Sequence, residues 1–339
     1  MIEATEENRD RLLAGIVRTV RKRRSFAVFS HEEPDGDAIG SQVAVTAALK
    51  RLGKEVISLR VDPAPPALEF LNRENLIRAY QPRTDDPAIK SAEAVILVDC
   101  CDYFRLGRLA DAARTAQGAV INIDHHRDNV FFGDFNYVRF EAGGAAELVF
   151  EVLRALAVPV TGTIADALYV GLSTDTVGFR YIDPEGNLLE VVRELIRGGI
   201  DIEDLQERIY CNQPDSYLED LSALLRTVHY EEGGALAWFT MFDSEYLSFY
   251  QRELASEALK QLLSIRRIRA AVMLHKEAAG IEVWMRSKKD VNVGRAAGKV
   301  GGGGHHTASG ALVRGKSLAE ATQMVLEAVR DELGPKETV

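Results

Sequence analysis

The sequence lacks any apolar run long enough to cross a bilayer, since a transmembrane helix needs about 20 consecutive apolar residues. It also lacks a charged start followed by an apolar stretch, so we expect neither a membrane span nor a secretory signal. Cysteine is scarce and odd in number, with Cys100, Cys101 and Cys211 and no C-x-x-C pair. These features exclude a disulfide framework and a cysteine knuckle for metal, and they favour a reducing, cytoplasmic location.

Basic residues are also fewer than acidic residues in this chain. The chain of 339 residues carries 41 Lys and Arg against 51 Asp and Glu, which gives a formal net charge of -10. Proteins that bind long nucleic acids through their phosphates normally present a basic face, so this balance argues against long duplex partners. A small anion delivered to bound metal ions remains compatible with it.

Strand-like runs alternate with helical patterns through the first half of the chain. The strand candidates are 25–30, 55–59, 94–98 and 119–123, and the helix candidates are 5–24, 38–52 and 164–172. Strands that alternate with helices of this length are typical of crossover units. The sequence therefore predicts an α/β fold whose N-terminal part is a mostly parallel sheet flanked by helices.

The pattern changes after Pro184. Helical stretches at 188–196 and 202–210 follow without strands between them, and strand candidates return at 235–241, 270–275 and 281–285. The segment around Pro214 is typical of a linker. We therefore predict a first domain over residues 1–208, a linker over 209–221, and a smaller α+β domain over 222–339.

Six side chains of metal-ligand type stand near the ends of the apolar runs of the first half: His31, Asp35, Asp37, Asp99, His125 and Asp175. Strands that end at such residues place them at one edge of a parallel sheet, where ligands of α/β proteins bind. Asp oxygens and His nitrogens suit a pair of divalent cations and do not suit a closed structural zinc site.

Each motif alone also has an ordinary interpretation. Asp35 could cap the helix expected from Ala38, Asp99 could be an exposed residue at a strand end, and Asp124-His125-His126 could be a surface loop. Asp175 could simply end a helix. Their joint occurrence is what favours a metal site.

A second cluster of interest lies near the C-terminus, where Gly301–Gly304 precede His305 and His306. Consecutive glycines let backbone amides approach an anion, and Arg286-Ser287-Lys288-Lys289 can complement its charge. The segment fits neither a Walker A loop nor a dinucleotide fingerprint. It predicts a grip for a phosphate or a nucleotide, with a flexible loop as the alternative.

Taken in order, these motifs resemble the DHH phosphoesterase superfamily with its DHH-associated C-terminal domain. Within it the chain resembles the two-domain branch of nano-RNase and pAp (3'-phosphoadenosine 5'-phosphate) phosphatase type. The resemblance covers nearly the whole chain. It rests on His31-x-x-Pro34-Asp35-Gly36-Asp37-Ala38-Ile39-Gly40-Ser41, Val98-Asp99, Asp124-His125-His126, Thr174-Asp175-Thr176 and Gly301–Gly310. One departure is Val177, which stands where the family usually has glycine.

The resemblance implies a role for each motif residue. His31 and Asp35 would hold one manganese ion, Asp37, His125 and Asp175 the other, and Asp99 would bridge them. His126 would face the scissile phosphate, with Asp124 supporting the imidazoles. The far end of the substrate would be bound by Arg286, Ser287, Gly303, Gly304 and His305.

The function expected from this resemblance is metal-dependent hydrolysis of short oligoribonucleotides and of pAp, with the substrate bridging two domains that close on it. Cyclic di-AMP or linear dinucleotides are an alternative substrate class. Inorganic pyrophosphate is less favoured, because it needs no nucleoside grip, and a non-catalytic nucleotide-binding protein is the alternative from another class. A homodimer is expected by analogy only.

Overall fold

The computed structural model describes residues 4–184, 186–241 and 247–334. Its contacts divide the chain into two compact units, Met1–Asn212 and Gln213–Val339. The predicted domain limits, 1–208 and 222–339 with a linker over 209–221, remain predictions. None of the helices in the described ranges has both the length and the apolar character that a membrane span requires.

The first unit contains one six-stranded sheet. Its strands are β1 Ser25–Phe29, β2 Glu55–Arg60, β3 Arg78–Ala79, β4 Ala94–Val98, β5 Ala119–Asp124 and β6 Phe135–Val138. They lie in the order β3-β2-β1-β4-β5-β6, and every neighbouring pair is parallel. This confirms the predicted mostly parallel sheet.

Eight α-helices belong to the described part of this unit. They are α1 Glu6–Lys22, α2 Gly36–Arg51, α3 Pro82–Ser91, α4 Ala110–Arg114, α5 Ala145–Ala155, α6 Thr163–Asp175, α7 Leu188–Arg197 and α8 Ile202–Tyr210, with 3-10 turns at Pro66–Asn72 and Tyr103–Leu109. Alternate residues of β1 face opposite sides of the sheet. Val28 packs in the core formed with α2, α5 and α6, whereas Ala27 and Phe29 pack with α3 and α4.

The strand order places the predicted ligands together. The chain moves outward in one direction from β1 and in the other direction from β4, so the crevice between these strands lies at a switch point of the sheet, where α/β proteins bind ligands. His31 follows β1, Asp99 follows β4 directly, and His125 follows β5 directly. Three strand ends therefore deliver ligands to one edge.

The start of α2 differs from the expectation. The helix begins at Gly36 and not at Ala38, so Asp37 lies in its first turn and Asp35 is its N-cap. The cause is the Asp35 carboxylate, which accepts the N–H groups of Asp37 and Ala38, both at 3.0 Å. Gly36 is explained by packing, because a Cβ there would meet Thr174 Oγ1 at 2.1 Å.

The second unit is a mixed sheet covered on both faces. Its strands are β7 His229–Glu231, β8 Leu236–Thr240, β9 Ala270–Glu277, β10 Gly280–Ser287, β11 Gly303–Gly304 and β12 Ala308–Val313, in the order β11-β12-β10-β9-β8-β7. Its helices are α9 Tyr217–Leu225, α10 Phe249–Ser264, α11 Val293–Lys299 and α12 Leu318–Leu333, with a 3-10 turn at Glu232–Gly234. Among these described strands, β8 and β9 alone pair in parallel. The predicted smaller α+β region is confirmed, and both tryptophans of the chain, Trp238 and Trp284, lie in it.

Candidate metal centre

The first ligand group joins the end of β1, the cap of α2 and the end of β4. His31 Nε2 lies 3.9 Å from Asp35 Oδ1 and 3.4 Å from Asp99 Oδ2. Atoms that share one cation at about 2.1 Å lie about 3 to 3.5 Å apart. The three side chains are therefore nearly at the spacing of a common ion.

The second group joins the first turn of α2, the residue after β5 and the last residue of α6. His125 Nε2 lies 3.9 Å from Asp37 Oδ2 and 3.7 Å from Asp175 Oδ2. Asp37 is almost fully buried, whereas the Asp175 side chain remains about one-third exposed, at 31%. Asp175 ends a helix and not a strand, so it comes to the crevice from the helix layer.

Asp99 connects the two groups. Its Oδ2 faces His31, and its Oδ1 lies 3.5 Å from both His125 Nε2 and His126 Nδ1. The residue is 2% exposed, and Oδ1 is a buried oxygen with no hydrogen-bond donor among the described residues. An orphaned buried carboxylate oxygen is costly, and a cation would satisfy it. The donor set therefore fits a pair of divalent ions.

The backbone at Asp99 is also unusual, with φ at +52°. Few non-glycine residues adopt this left-handed conformation, although Asp tolerates it better than most, and such residues are frequent at functional sites. Here the turn lets the carboxylate leave β4 towards the neighbouring histidines.

The carboxyl groups of the cluster repel each other and are attracted by its imidazoles. Burial raises the pKa of Asp37 well above its usual range, and the nearby Asp99 and Asp175 add to the rise. Burial likewise raises the pKa of Asp175, to about 6. For Asp99 burial acts in the same direction, but the nearby imidazoles of His125 and His31 outweigh it, and its pKa lies well below the usual value.

The histidines are affected in the opposite sense. Burial lowers the pKa of His31, but the hydrogen bond to Asp99 and the charge of Asp35 outweigh it and raise the value to about 9. The pKa of His125 is raised well above normal, because Asp175, Asp99 and Asp37 outweigh its burial. The four carboxylates of the cluster thus favour the protonated, positively charged form of these imidazoles when no metal is bound.

Hydrogen bonds fix the orientation of two imidazoles. His31 Nδ1 lies 2.6 Å from the carbonyl oxygen of Glu32, which leaves Nε2 for a ligand. His126 Nδ1 lies 2.8 Å from Asp124 Oδ1, and the other oxygen of Asp124 accepts from Asn129 Nδ2. Such outer contacts set the tautomer and the direction of the ring.

Asn129 and the start of α5 are parts of the site that the sequence reasoning missed. Asn129 follows His126 by three residues, but an amide in a loop carries no signal of its own. The N–H groups of Ala145 and Ala146 reach Asp37 Oδ2 and Oδ1 from more than 100 positions along the chain. In the sequence, the glycine pair at positions 143 and 144 is the one signal that could have pointed to a tight turn just before α5.

The residues predicted to bind the far end of the substrate lie in the second unit, around β12. Arg286 of β10 stands opposite Ala308, and Gly304 of β11 stands opposite Ser309, so both flank the same end of β12. Gly303 precedes Gly304 in β11, and His305 follows it directly.

Arg286 and Ser287 differ in what they can offer. Burial lowers the pKa of Arg286, and no carboxylate in the described part of the chain is near enough to oppose this effect. Its Nη1 donates only to the carbonyl of Met285, at 3.1 Å. Ser287 donates its hydroxyl to the carbonyl of Val291, at 2.7 Å, so that its oxygen can only accept. A partly buried guanidinium without a carboxylate partner among the described residues suits an anionic ligand.

The fold and the site together define an α/β protein with a carboxylate–imidazole centre for divalent cations at the switch point of a parallel sheet. The model of the DHH family, N-terminal domain, matches residues 25–172, and that of the DHHA1 domain matches residues 245–333. The chain belongs to the DHH family.

Two relatives match almost end to end. The chain is 32% identical to the bifunctional oligoribonuclease and PAP phosphatase NrnA of Thermus thermophilus, over 95% of this chain and 94% of that protein. It is 27% identical to the protein of the same name from Bacillus subtilis, over 88% of this chain and 92% of that protein. Among solved structures, an exopolyphosphatase-related protein from Bacteroides fragilis has the same fold, with a TM-score of 0.86, 23% identity, and coverage of 95% of this chain and 96% of that one.

Proposed function

We propose that this chain is a metal-dependent phosphoesterase that hydrolyses short oligoribonucleotides to mononucleotides and removes the 3'-phosphate of pAp. The observation that carries the proposal is the pair of ligand groups joined at Asp99. Relatives that match over nearly their full length bear both activities in their names. Activity on phosphoesters agrees with a cluster of four carboxylates that two divalent ions would neutralise.

In this proposal each ligand group holds one ion. His31 and Asp35 hold the first ion, and Asp37, His125 and Asp175 hold the second. Asp99 would serve both ions, since its two oxygens face the two groups. Manganese is the favoured metal, because imidazole ligands suit a softer ion than magnesium, although the affinity order also admits cobalt and zinc.

The chemistry that such an ion pair supplies when bound is the activation of a water and the neutralisation of charge on phosphoryl oxygens. The protein contributes orientation. Asp124 lies 2.8 Å from Nδ1 of His126 and so orients the ring that would face the scissile phosphate. We assign His126 and Asp124 to this role.

The second unit supplies the nucleotide grip in this proposal. Arg286 offers a guanidinium that has no carboxylate partner among the described residues. Gly303 and Gly304 offer a backbone that a phosphate can approach, and His305 offers an imidazole beside them. Ser287 takes part as an acceptor, because its hydroxyl proton is used by Val291.

The partners follow from this substrate class. We assign short RNA oligonucleotides and small nucleotides to the site as substrates, and we do not expect it to bind long duplex nucleic acid. A homodimer is the assembly to test. Cytoplasmic location is part of the same proposal, because RNA fragments arise there. It agrees with the free thiols of Cys100, Cys101 and Cys211.

The test is turnover of pApA and of pAp by the metal-free protein after addition of manganese. We expect release of mononucleotides from pApA and of phosphate from pAp, and loss of both when a chelator removes the metal. Inactivity towards both substrates with manganese bound would retire the proposal.

Competition ranks the alternatives. Cyclic di-AMP and pyrophosphate are added separately to the pAp reaction, and hydrolysis of each is followed directly. Faster hydrolysis of cyclic di-AMP than of pApA would show that cyclic dinucleotides are the preferred substrate class. Nucleotide binding without turnover of any of these compounds would favour a binding protein.

A further inference from the structure

Asp37 is held from outside its own helix by the first turn of α5. Its Oδ1 accepts the N–H of Ala146 at 2.9 Å, and its Oδ2 accepts the N–H of Ala145. The first N–H groups of a helix have no partner within the helix, and the dipole there favours negative charge. The start of α5 therefore fixes the direction of the Asp37 carboxylate.

The turn before α5 decides where these two N–H groups point. Gly144 is the N-cap, with φ +146° and ψ 164°, a conformation almost restricted to glycine. A Cβ at Gly144 would lie 2.9 Å from Asp37 Oδ2. The turn passes so close to the carboxylate that a small movement of it would change the hydrogen bonds.

Glu147 ties this turn in place. The residue is fully buried, and its Oε2 accepts the N–H of Gly143 at 2.9 Å. Its Oε1 accepts the N–H of Asn187 at 3.0 Å, and the Arg139 guanidinium lies 3.7 Å away. One buried carboxylate thus connects the turn before α5, the start of α7 and a buried arginine.

We propose that Glu147 is a positioning residue for the metal centre. By holding the Gly143–Gly144 turn it keeps the N–H groups of α5 on Asp37, and it thereby sets the affinity for the ion assigned to Asp37, His125 and Asp175. The inference rests on the proposed function for those ligand roles. Loss of comparable outer contacts weakens metal binding about 10- to 100-fold.

The same helix supplies a matched control. Glu151 lies one turn further along α5, is 7% exposed and belongs to the same ion network. It accepts from Tyr137 and Arg139 and pairs with Arg9, and within the described residues it makes no hydrogen bond to the turn before α5. Neutralising Glu151 therefore disturbs a buried charge without releasing that turn.

The experiment compares Glu147→Gln and Glu151→Gln by calorimetric titration of the metal-free proteins with manganese. We expect one of the two manganese affinities to fall about tenfold or more in Glu147→Gln, and both to stay within about twofold of wild type in Glu151→Gln. Turnover of pAp by Glu147→Gln should need correspondingly more manganese for half-activation, while kcat at saturating manganese is retained.

An unchanged manganese isotherm for Glu147→Gln would overturn the inference, even if its melting temperature falls. Equal weakening in both variants would also overturn it, because the effect would then belong to the ion network as a whole. If Glu147→Gln does not fold, Glu147→Asp replaces it, since it keeps the charge but is too short to accept from both Gly143 and Asn187, and the same result is expected. The titration uses no nucleotide, so its outcome is independent of whether the wild-type protein turns over pApA.

Discussion

At the scale of single residues, Asp99 carries the greatest weight, because both ligand groups depend on it. Asp99→Asn keeps the shape of the side chain but removes the charge between two proposed ions. We expect kcat on pApA to fall about 100- to 1000-fold, since the lost electrostatic stabilisation acts in a water-poor site. Steady-state kinetics and manganese titration measure the effect, and the titration should find fewer than two ions per chain.

The control for this variant is Asp111→Asn, which changes a fully exposed carboxylate of the same unit. It should leave kinetics and stoichiometry unchanged. Retained pAp binding in Asp99→Asn would support an enzyme with an impaired centre. Two ions bound with full activity would refute the bridging role of Asp99.

Asp124 is expected to act through its neighbour and not through the metal. Asp124→Asn can present an amide N–H to His126 Nδ1, which inverts the tautomer of the ring. We predict a decrease in kcat of about 10- to 100-fold with two manganese ions still bound. A loss of manganese in this variant would show instead that Asp124 supports the metal ligands.

At the scale of elements, the close crossing of α2 and α6 holds two ligand-bearing helices together. Gly40 lies at this crossing, and a Cβ there would be 2.3 Å from the carbonyl oxygen of Ala167. We expect Gly40→Ala to lower the free energy of unfolding by about 1 to 3 kcal/mol, because the helices must move apart. Urea unfolding followed by far-UV circular dichroism measures it.

Gly298→Ala is the matched substitution, because Gly298 lies in α11 with open space around its Cβ position. At this position the change from glycine to alanine should raise the free energy of unfolding by about 0.5 to 1 kcal/mol, since alanine favours the helix. If both variants behaved alike, the effect at Gly40 would come from helix propensity and not from crowding.

The elements also explain how much of the site could be predicted from the sequence. His31, Asp99 and His125 follow buried strands, and parallel neighbours end at one edge, so their meeting was predictable from periodicity alone. The sequence predicts the start of α2 two residues too late, because the Asp35-Gly36-Asp37 run is typical of a turn as well as of a capped helix. The bonds from α5 to Asp37 depend on how distant helices pack, which no local pattern encodes.

At the scale of the whole molecule, metal and fold stability should be coupled in the first unit. Four carboxylates lie close together there, and an ion that binds the folded chain stabilises it by mass action. At manganese concentrations about 100 times the dissociation constant we expect about 2.7 kcal/mol, or a rise in melting temperature of about 5 to 10 °C. Thermal melts followed by far-UV circular dichroism, with manganese and with a chelator, measure the shift.

A variant provides the control for this prediction. In Asp99→Asn the rise in melting temperature on addition of manganese should be smaller, because one shared ligand is lost. An equal rise in that variant would place the stabilising ions elsewhere on the protein.

The position of the two indoles has a practical consequence. Because Trp238 and Trp284 both belong to the C-terminal sheet, excitation at the red edge of protein absorbance produces emission from that half of the chain alone. The emission can therefore follow how the half proposed to bind the nucleotide responds to pAp or to heat, without any attached dye. Far-UV circular dichroism reports the helices of both halves. A change in that signal without a change in emission therefore belongs to the N-terminal half.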